Sequence, residues 1–392
     1  MELRKKREKP KKLHSDRRNF LYKLKDNLLS YFLIAACVIG VFVTGIVLRC
    51  NKGKIKETYI PSENPCTTTV ENLDDLEIVF IDVGQGDSVL VKFPDGKNML
   101  VDGGKNYASV EEKLDKYLTV DGKKLKIDYC VATHPDADHI GSLDYVYKNY
   151  EVGYSFRPFV KYKTDDSFLT GFNAGVELDC SEVYAEYLAA VKEENCGYEF
   201  FTDKSDFVNY VVYNDVTYSY KIDFLMPYAT TTDGYKNFKD TNDFSAVVKI
   251  EYGGKSVLLC GDINSENIEK SLINSYKTTF DLRCDVLKIA HHGSAESSSP
   301  AFMAAVKPTS AILSCGVGNY YGHPANRVVT YLKNHSIDVY RTDLQGSVDC
   351  KISADGEIEF SYEFHDNDGY LFFDGSNVAE NDYIVNENKK SR

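Results

Sequence analysis

Tryptophan, closely paired cysteines and repeated long apolar runs are all missing from this chain of 392 residues. With no tryptophan, 29 tyrosines and 21 phenylalanines supply all of the large aromatic surface. No two cysteines form a C-x-x-C pair, which argues against a closed structural zinc site. Only one apolar run reaches the length of a bilayer span, so we expect no many-helix membrane channel here.

That single run covers residues 27–48 and carries no charged side chain. Its length of about 20 residues matches one transmembrane helix. Arg49 and Cys50 follow it, whereas a cleaved signal peptide has a shorter apolar region and a small-residue exit site. Residues 1–26 are strongly basic, which predicts a cytoplasmic N-terminal tail. The sequence therefore predicts a single-pass cell-membrane protein whose remaining residues lie outside the cytoplasm.

The rest of the chain divides by composition. Residues 49–75 are polar and are expected to be a linker, and the acidic residues 366–392 contain few core formers and are expected to be disordered. Residues 76–365 alternate strand and helix patterns in two successive series, which predicts two sheets packed face to face with helices outside. Within them, residues 145–220 are interpreted as an aromatic-rich insertion that either shapes a substrate groove or packs onto the core. Strands are expected at 77–82, 88–93, 98–102, 127–133, 221–226, 246–252, 256–260, 285–289 and 311–314, and helices at 110–118, 266–274, 299–306 and 327–334.

Four potential metal ligands lie within six residues, at His134, Asp136, Asp138 and His139. They directly follow the apolar, β-rich stretch 127–132 and precede a plausible helix. Ligands at the junction of a strand and a helix are held on a rigid scaffold, and this spacing suits a two-metal hydrolase centre. A solvated surface turn is the alternative, but two histidines and two aspartates at H-x-D-x-D-H spacing are uncommon in such turns.

The run resembles the metal motif H-x-H-x-D-H of the metallo-β-lactamase superfamily, with Asp136 in place of the second histidine. That variant is typical of the metallo-β-lactamase-like domain of the ComEC/Rec2 competence proteins. The resemblance implies an α/β fold, the metallo-β-lactamase αββα sandwich, here preceded by one transmembrane helix. Further segments resemble that domain in the same order: 80–88, 101–104, 259–262, 289–294 and 321–324.

The resemblance also implies two divalent metal ions, zinc or manganese. His134 and Asp136 would hold one ion, Asp138 and His139 the other, and Asp262 would bridge them. A carboxylate at Asp136 makes its site harder and shifts the preference from zinc toward manganese or magnesium. A hydroxide held between the ions would be the nucleophile, and Asp138 is expected to help set it in place.

Other ligands are less well defined by the sequence. No histidine occurs between residues 141 and 261, and Asn242 and Ser245 occupy the place of a family histidine. We expect these two side chains to orient water or phosphate. His291 and His292 follow an apolar strand, so side-chain alternation should send only one toward the metals, and His292 is preferred.

Two more side chains are candidates for contact with substrate. Ser294 could offer its hydroxyl to a phosphate group. His323, in the turn Gly322-His323-Pro324, is a candidate to protonate the leaving oxygen, although a structural role is the alternative. Export would also permit a disulfide, and Cys180 and Cys196 are the closest pair beyond the apolar run.

These patterns favour a membrane-anchored, extracytoplasmic phosphodiesterase or nuclease. The partner would be a phosphodiester substrate, with DNA as one candidate. Residues 1–26 contribute +7 to the net charge of −13, which leaves −20 on the remainder. Because non-specific DNA binding depends mainly on lysine and arginine contacts to phosphate, this charge argues against a long duplex. Hydrolysis of a small phosphoester or an envelope polymer, and a non-catalytic envelope-binding module with a structural metal, remain the alternatives.

Overall fold

The computed structural model describes residues 65–363, except 106, 121, 165, 227–234, 237 and 239. The predicted cytoplasmic tail, the predicted transmembrane helix at 27–48, most of the linker and the acidic segment 366–392 lie outside these residues. Within the described part, none of the helices is long and apolar enough to cross a membrane. The predicted single-pass anchor therefore stays a prediction.

Twenty strands and eight α-helices make up the described region. The strands are β1 (Thr67–Thr69), β2 (Leu76–Phe80), β3 (Val89–Lys92), β4 (Asn98–Val101), β5 (Thr119–Val120), β6 (Lys123–Lys124), β7 (Ile127–Val131), β8 (Val152–Arg157), β9 (Val160–Tyr162), β10 (Val176–Leu178), β11 (Gly197–Phe200), β12 (Phe207–Tyr213), β13 (Val216–Met226), β14 (Val247–Tyr252), β15 (Lys255–Leu259), β16 (Val286–Lys288), β17 (Ser310–Leu313), β18 (Asp338–Arg341), β19 (Val348–Ile352) and β20 (Ile358–Tyr362). The helices are α1 (Tyr107–Leu118), α2 (Ala137–Ile140), α3 (Leu143–Asn149), α4 (Glu182–Glu194), α5 (Lys270–Tyr276), α6 (Pro300–Val306), α7 (Asn326–Asn334) and α8 (Thr342–Gln345).

Most of these strands form two eight-stranded sheets. The first sheet has the order β11-β8-β7-β4-β3-β2-β19-β20, and the second has the order β1-β12-β13-β14-β15-β16-β17-β18. The strands β4, β7 and β8 run parallel in the first sheet, and β15 to β18 run parallel in the second. Two short pairs, β5-β6 and β9-β10, lie outside the sheets.

Side-chain alternation explains how each sheet is buried on both faces. In β2, Ile78 and Phe80 pack between the two sheets, whereas Val79, and Ile81 just after the strand, pack on the opposite face. That opposite face is covered by α1, α3 and α4, and the outer face of the second sheet is covered by α5, α6 and α7. The layers are therefore helix, sheet, sheet and helix, and the predicted αββα sandwich is confirmed.

Three sequence-based interpretations need correction. Residues 145–220 include β8 and β11 of the first sheet and β12 of the second, so they belong to the framework and are not an insertion on it. The end of the predicted linker forms β1, which pairs in parallel with β12. The sequence did not reveal that these two segments belong to the sheets, because their partner strands are distant along the chain.

The third correction concerns the disulfide. Cys180 and Cys196 are both free thiols in the structure. Cys180 precedes α4 and Cys196 follows it, so a helix of 13 residues lies between them. At 1.5 Å per residue that helix spans about 20 Å, far more than the ~6 Å between Cα atoms that a disulfide tolerates.

Candidate metal centre

The candidate site lies where the carboxyl ends of parallel strands from both sheets meet. In an open α/β sheet this edge is the usual location of a ligand site. His134 follows β7 in the first sheet, and Asp262 follows β15 in the second. A backbone contact joins the two edges, since Ala246 N–H donates to the Thr133 carbonyl at 3.1 Å. Within the second sheet, His291 N–H donates to the Gly261 carbonyl at 3.0 Å and so ties the end of β16 to that of β15.

The sequence run 134–139 folds as a tight turn into the short helix α2. Asp136 is extended at the helix start, and its carbonyl accepts the His139 N–H at 3.0 Å. Gly141 permits this packing, because a Cβ there would lie 2.4 Å from the Ala137 carbonyl oxygen. Gly86, in the loop after β2, also permits close packing. Its φ is +142°, and a Cβ there would lie 2.2 Å from the Asp138 backbone carbonyl oxygen. Both glycines allow two loops to close around the ligands.

Buried second partners set the orientation of two histidine rings. Asp102, 1% exposed, lies 2.7 Å from His139 Nδ1 and accepts the Thr133 hydroxyl at 2.7 Å. The Thr133 oxygen in turn lies 3.0 Å from His134 Nδ1. Because Thr133 donates to Asp102, it accepts from His134, so both rings carry their proton on Nδ1. Both Nε2 atoms then offer a lone pair to the site, as in carboxylate–histidine pairs of metalloproteins.

His291 and His292 reach the site through left-handed backbone. Their φ values are +52° and +54°, in the short turn Ala290–Gly293 that follows β16. His291 Nε2 lies 3.6 Å, and His292 Nε2 3.5 Å, from Asp262 Oδ2. The expected alternation therefore fails, because the pair follows the strand end and is not part of the strand. His292 is buried and its Nδ1 lies 2.9 Å from the Ser314 carbonyl, whereas the His291 side chain is 26% exposed.

Nitrogen and oxygen atoms that can act as metal ligands converge in this site. His139 Nε2 lies 3.1 Å from Asp262 Oδ1, and His292 Nε2 lies 3.4 Å from Asp138 Oδ2. His134 Nε2 lies 3.7 Å from Asp136 Oδ2 and 4.0 Å from Asp262 Oδ2. The Nε2 atoms of all three buried histidines and Asp262 Oδ1 make no hydrogen bond. Buried polar atoms are normally satisfied, so this set fits divalent cations well.

Electrostatics support the same conclusion. Burial opposes charge on His139 and His292, but Asp262 and further carboxylates outweigh it and raise the pKa of both rings. Burial likewise opposes charge on Asp262, yet His139 and His292 hold its pKa well below the usual range. His134 differs, because burial and the neighbouring His139 lower its pKa. The site thus attracts positive charge, whether from protons or from metal ions.

Comparison with known proteins agrees with this geometry. Residues 81–154 match the sequence model of the family described as "Metallo-beta-lactamase superfamily". Over this segment the chain is similar to the metallo-β-lactamase superfamily. The matched segment contains the whole run 134–139, and the resemblance inferred from that run is confirmed.

Two curated relatives are similar to the chain over more than two thirds of its length. The chain is 30% identical over 289 residues to "ComE operon protein 3" of Bacillus subtilis (strain 168), covering 69% of this chain and 32% of that protein. It is 29% identical over 277 residues to "Competence protein ComA" of Neisseria gonorrhoeae, covering 70% and 32%. The chain thus spans about a third of the length of these relatives. Among solved structures, the metallo-β-lactamase fold protein YhfI of Bacillus subtilis matches at 13% identity and a TM-score of 0.38, covering 73% of this chain and 100% of that one.

The predicted substrate-binding residues occupy different positions in the candidate site. Ser245 accepts the Asp262 N–H through its hydroxyl at 3.0 Å, so it positions the predicted bridging carboxylate. Asn242 lies in the same turn, and its Oδ1 is buried without a hydrogen-bond partner. The Ser294 hydroxyl accepts the Glu296 N–H at 3.2 Å within its own loop.

His323 lies next to the histidine pair. Its ring centroid is 5.6 Å from that of His291 and 6.2 Å from that of His292. Burial and the two neighbouring histidines lower the pKa of His323 to about 4. The neutral ring therefore predominates at pH 7 in the free site, and an anionic substrate would favour its protonation. The role as general acid stays a prediction.

Sequence reasoning missed two buried aspartates, one of which pairs with a buried lysine. Asp87 lies 3.2 Å from His292 Nδ1 and 2.8 Å from the buried Lys288 Nζ. Ligand atoms of Asp87, His139, Asp262 and His292 all lie within 4.8 Å of one another. Asp102 orients His139 as described above. The one sequence signal for both aspartates is their place beside glycines at strand ends, in Gly86-Asp87 and Asp102-Gly103.

Proposed function

We propose that this protein is a metal-dependent phosphodiesterase. The observation that carries the proposal is the convergence of three buried histidine nitrogens and the Asp262 carboxylate, none of them hydrogen-bonded at the facing atoms. Divalent ions held by these residues would supply Lewis-acid activation of water and of a phosphoryl oxygen.

Different residues of the chain would bind the metal ions, orient the ligands and donate a proton. The first sheet would hold the ions through His134, Asp136, Asp138 and His139, and the second would hold them through Asp262 and His292. Asp102 keeps the His139 proton on Nδ1, and Ser245 keeps the Asp262 backbone in place. His323 borders the ligands on the side of a half-exposed loop, where a leaving oxygen could receive its proton.

Charge narrows the class of substrate. The net charge of −20 outside residues 1–26 disfavours a long duplex, since such binding depends on phosphate contacts from basic side chains. In the described region the buried Lys288 and Arg341 are both paired with carboxylates, Asp87 and Asp343. A short or single-stranded nucleic acid, or a small phosphodiester, therefore fits better than duplex DNA.

We further propose that the domain lies outside the cytoplasm, anchored by residues 27–48. The support is the uncharged run of about 20 residues behind a strongly basic segment. Protease added to intact cells should then degrade the C-terminal domain. Digestion only after lysis would overturn this orientation while leaving the phosphodiesterase proposal intact.

The catalytic proposal is tested on the full-length chain in detergent. Metal content would be measured by mass spectrometry, and hydrolysis with bis-p-nitrophenyl phosphate and labelled single-stranded and duplex DNA. The purified chain should contain a divalent metal, lose activity with a chelator and regain it with zinc or manganese.

Asp138→Ala provides the decisive variant. Its fold should persist, because strands and not metal build the scaffold, yet hydrolysis should disappear. Wild-type rates from Asp138→Ala in metal-replete buffer would refute the phosphodiesterase. Stable metal binding without hydrolysis of any of these substrates would favour the binding-module alternative.

A further inference from the structure

The loop that follows β17 carries an unusual amount of exposed aromatic surface. Among the described residues, only seven large hydrophobic side chains are exposed, and Val317, Tyr320 and Tyr321 are three of them. Tyr320 is fully exposed and Tyr321 is 69% exposed. Exposed apolar side chains that cluster beside a site, rather than scatter singly, indicate a contact surface.

Hydrogen bonds from the Asn319 and Gln85 side chains hold this loop in place. The Asn319 side-chain amide donates to the carbonyls of Gly316 and His323, and its oxygen accepts the His323 N–H at 2.9 Å. Gly316 N–H donates to Gln85 Oε1, and a Cβ on Gly316 would lie 2.7 Å from the Gln85 nitrogen. The exposed rings are therefore presented by an anchored turn, which reduces the entropy cost of binding.

Aromatic rings connect this surface to the metal ligands. Tyr321 stacks on His323 with centroids 5.7 Å apart and an interplanar angle of 23°. His323 in turn lies 5.6 Å from His291. Tyr321 is thus connected to a candidate ligand through two ring contacts.

We propose that Tyr321, with Tyr320, stacks on a nucleobase next to the scissile phosphodiester, so that the substrate is an unpaired nucleic acid strand. This inference rests on the proposed function and narrows its substrate class. Base stacking on aromatic side chains supplies affinity that does not depend on charge, and a strand bound to so acidic a domain would need that affinity. It also requires a base with a free face, which a duplex interior does not offer.

Gln85, which accepts the Gly316 N–H, also lines a cleft that could hold a neighbouring nucleotide. The cleft has a volume of about 540 Å³ and is lined by Val83, Gln85, Lys105, Tyr107 and Ala108. Tyr107 is 44% exposed and Lys105 is exposed, so the cleft offers one more ring and one cation. Since Gln85 also contacts the turn that carries Tyr321, the cleft is a candidate second contact for the same strand.

Binding to the metal-free, full-length chain separates the inference from catalysis. The probes are a fluorescein-labelled thymidine 12-mer, an abasic 12-mer of the same charge and a duplex of the same length, compared by anisotropy. The wild type should prefer the thymidine strand over both competitors. Tyr321→Ala should weaken thymidine binding roughly 5- to 100-fold while leaving the abasic strand unaffected.

Two control variants define the chemistry. Tyr321→Phe should retain the preference, because stacking needs the ring and not the hydroxyl. Tyr210→Ala should also retain it, since Tyr210 is 39% exposed on β12 and lies outside the site. Equal binding of thymidine and abasic strands by the wild type, tighter binding of the duplex, or an unchanged preference in Tyr321→Ala would each overturn the inference. Hydrolysis without any preference for strands that carry bases would refute base stacking on Tyr321 but not the phosphodiesterase activity. A preference for such strands without hydrolysis would refute the phosphodiesterase activity instead.

Discussion

The two sheets contribute to the metal centre in different ways. The first sheet supplies four predicted ligands from one continuous run, His134 to His139, and a buried carboxylate on an adjacent strand end orients two of the rings. The second sheet supplies Asp262 and the His291-His292 pair from two separate strand ends. Its histidines reach the site only through left-handed backbone.

This difference matters because the two halves depend on different kinds of support. In the first sheet, orientation comes from side-chain hydrogen bonds made by Asp102 and Thr133. In the second, backbone contacts add to the side-chain contact from Asp87, with the Ser314 carbonyl at His292 Nδ1 and the Gly261 carbonyl at His291 N. Side-chain support can be removed by one substitution, whereas backbone support follows from the fold itself.

The largest effect is expected from removing the carboxylate that both halves share. Asp262 lies within 4.0 Å of a nitrogen of each of four histidines. Asp262→Ala should lower metal content and abolish hydrolysis together, measured by mass spectrometry and substrate assay. Asp285→Ala, at the opposite end of β16, is the control and should retain both properties. Full metal content in Asp262→Ala would show that the two sheets bind metal independently.

The next largest effect should come from the loop of the second sheet. His323→Ala should leave metal content unchanged but slow turnover by about 10²–10⁴-fold if the ring protonates the leaving group. His335→Ala is the control, because His335 stacks on Tyr331 at the surface. A loss of metal in His323→Ala would instead make His323 a ligand and extend the second sheet's contribution.

A smaller effect should follow from weakening side-chain support in the first sheet. Asp102→Asn keeps the size of the side chain but removes the charge beside His139, and it should lower metal affinity about 10- to 100-fold. Chelator competition would measure this affinity. Asp128→Asn is matched, since Asp128 accepts the Asn98 N–H on the same sheet away from the ligands. Equal affinity in Asp102→Asn and wild type would contradict the asymmetry between the sheets.

The smallest effect lies in the first sheet away from the ligands. Burial and the neighbouring Glu77 raise the pKa of Asp349 to about 7, so the folded state keeps a proton that the unfolded chain has lost. This group should therefore lower the free energy of unfolding as the pH rises from about 4 to about 7. Denaturation at pH 5 and pH 8 should show a smaller decrease in Asp349→Asn than in the wild type. The exposed Asp355→Asn should behave as wild type, and identical decreases in all three would exclude the Asp349 proton.

Much of the site could be predicted from the sequence because its ligands are local. The run 134–139 combines strand, turn and ligand chemistry within a few residues, so spacing alone indicated a metal centre. Asp87 and Asp102 were not predicted as site residues, since each is a single aspartate at a strand end, far along the chain from its partner. For His291 and His292, the prediction that only one ring faces the site was wrong. Alternation applies to strand residues, and β16 ends at Lys288, before the pair.

The sequence alone determined the layered architecture and the identity of most candidate ligands, since apolar periodicity and ligand spacing are local properties of the chain. Tertiary structure decided which ligands meet. Only the packing of two sheets brings Asp262 within 3.1 Å of His139, and only the left-handed turn directs both His291 and His292 to Asp262. It also decided that α4 separates Cys180 from Cys196 and that residues 145–220 are framework. The physical reason is that contacts between distant strands depend on sheet order and on backbone conformation at strand ends, neither of which appears in local residue patterns.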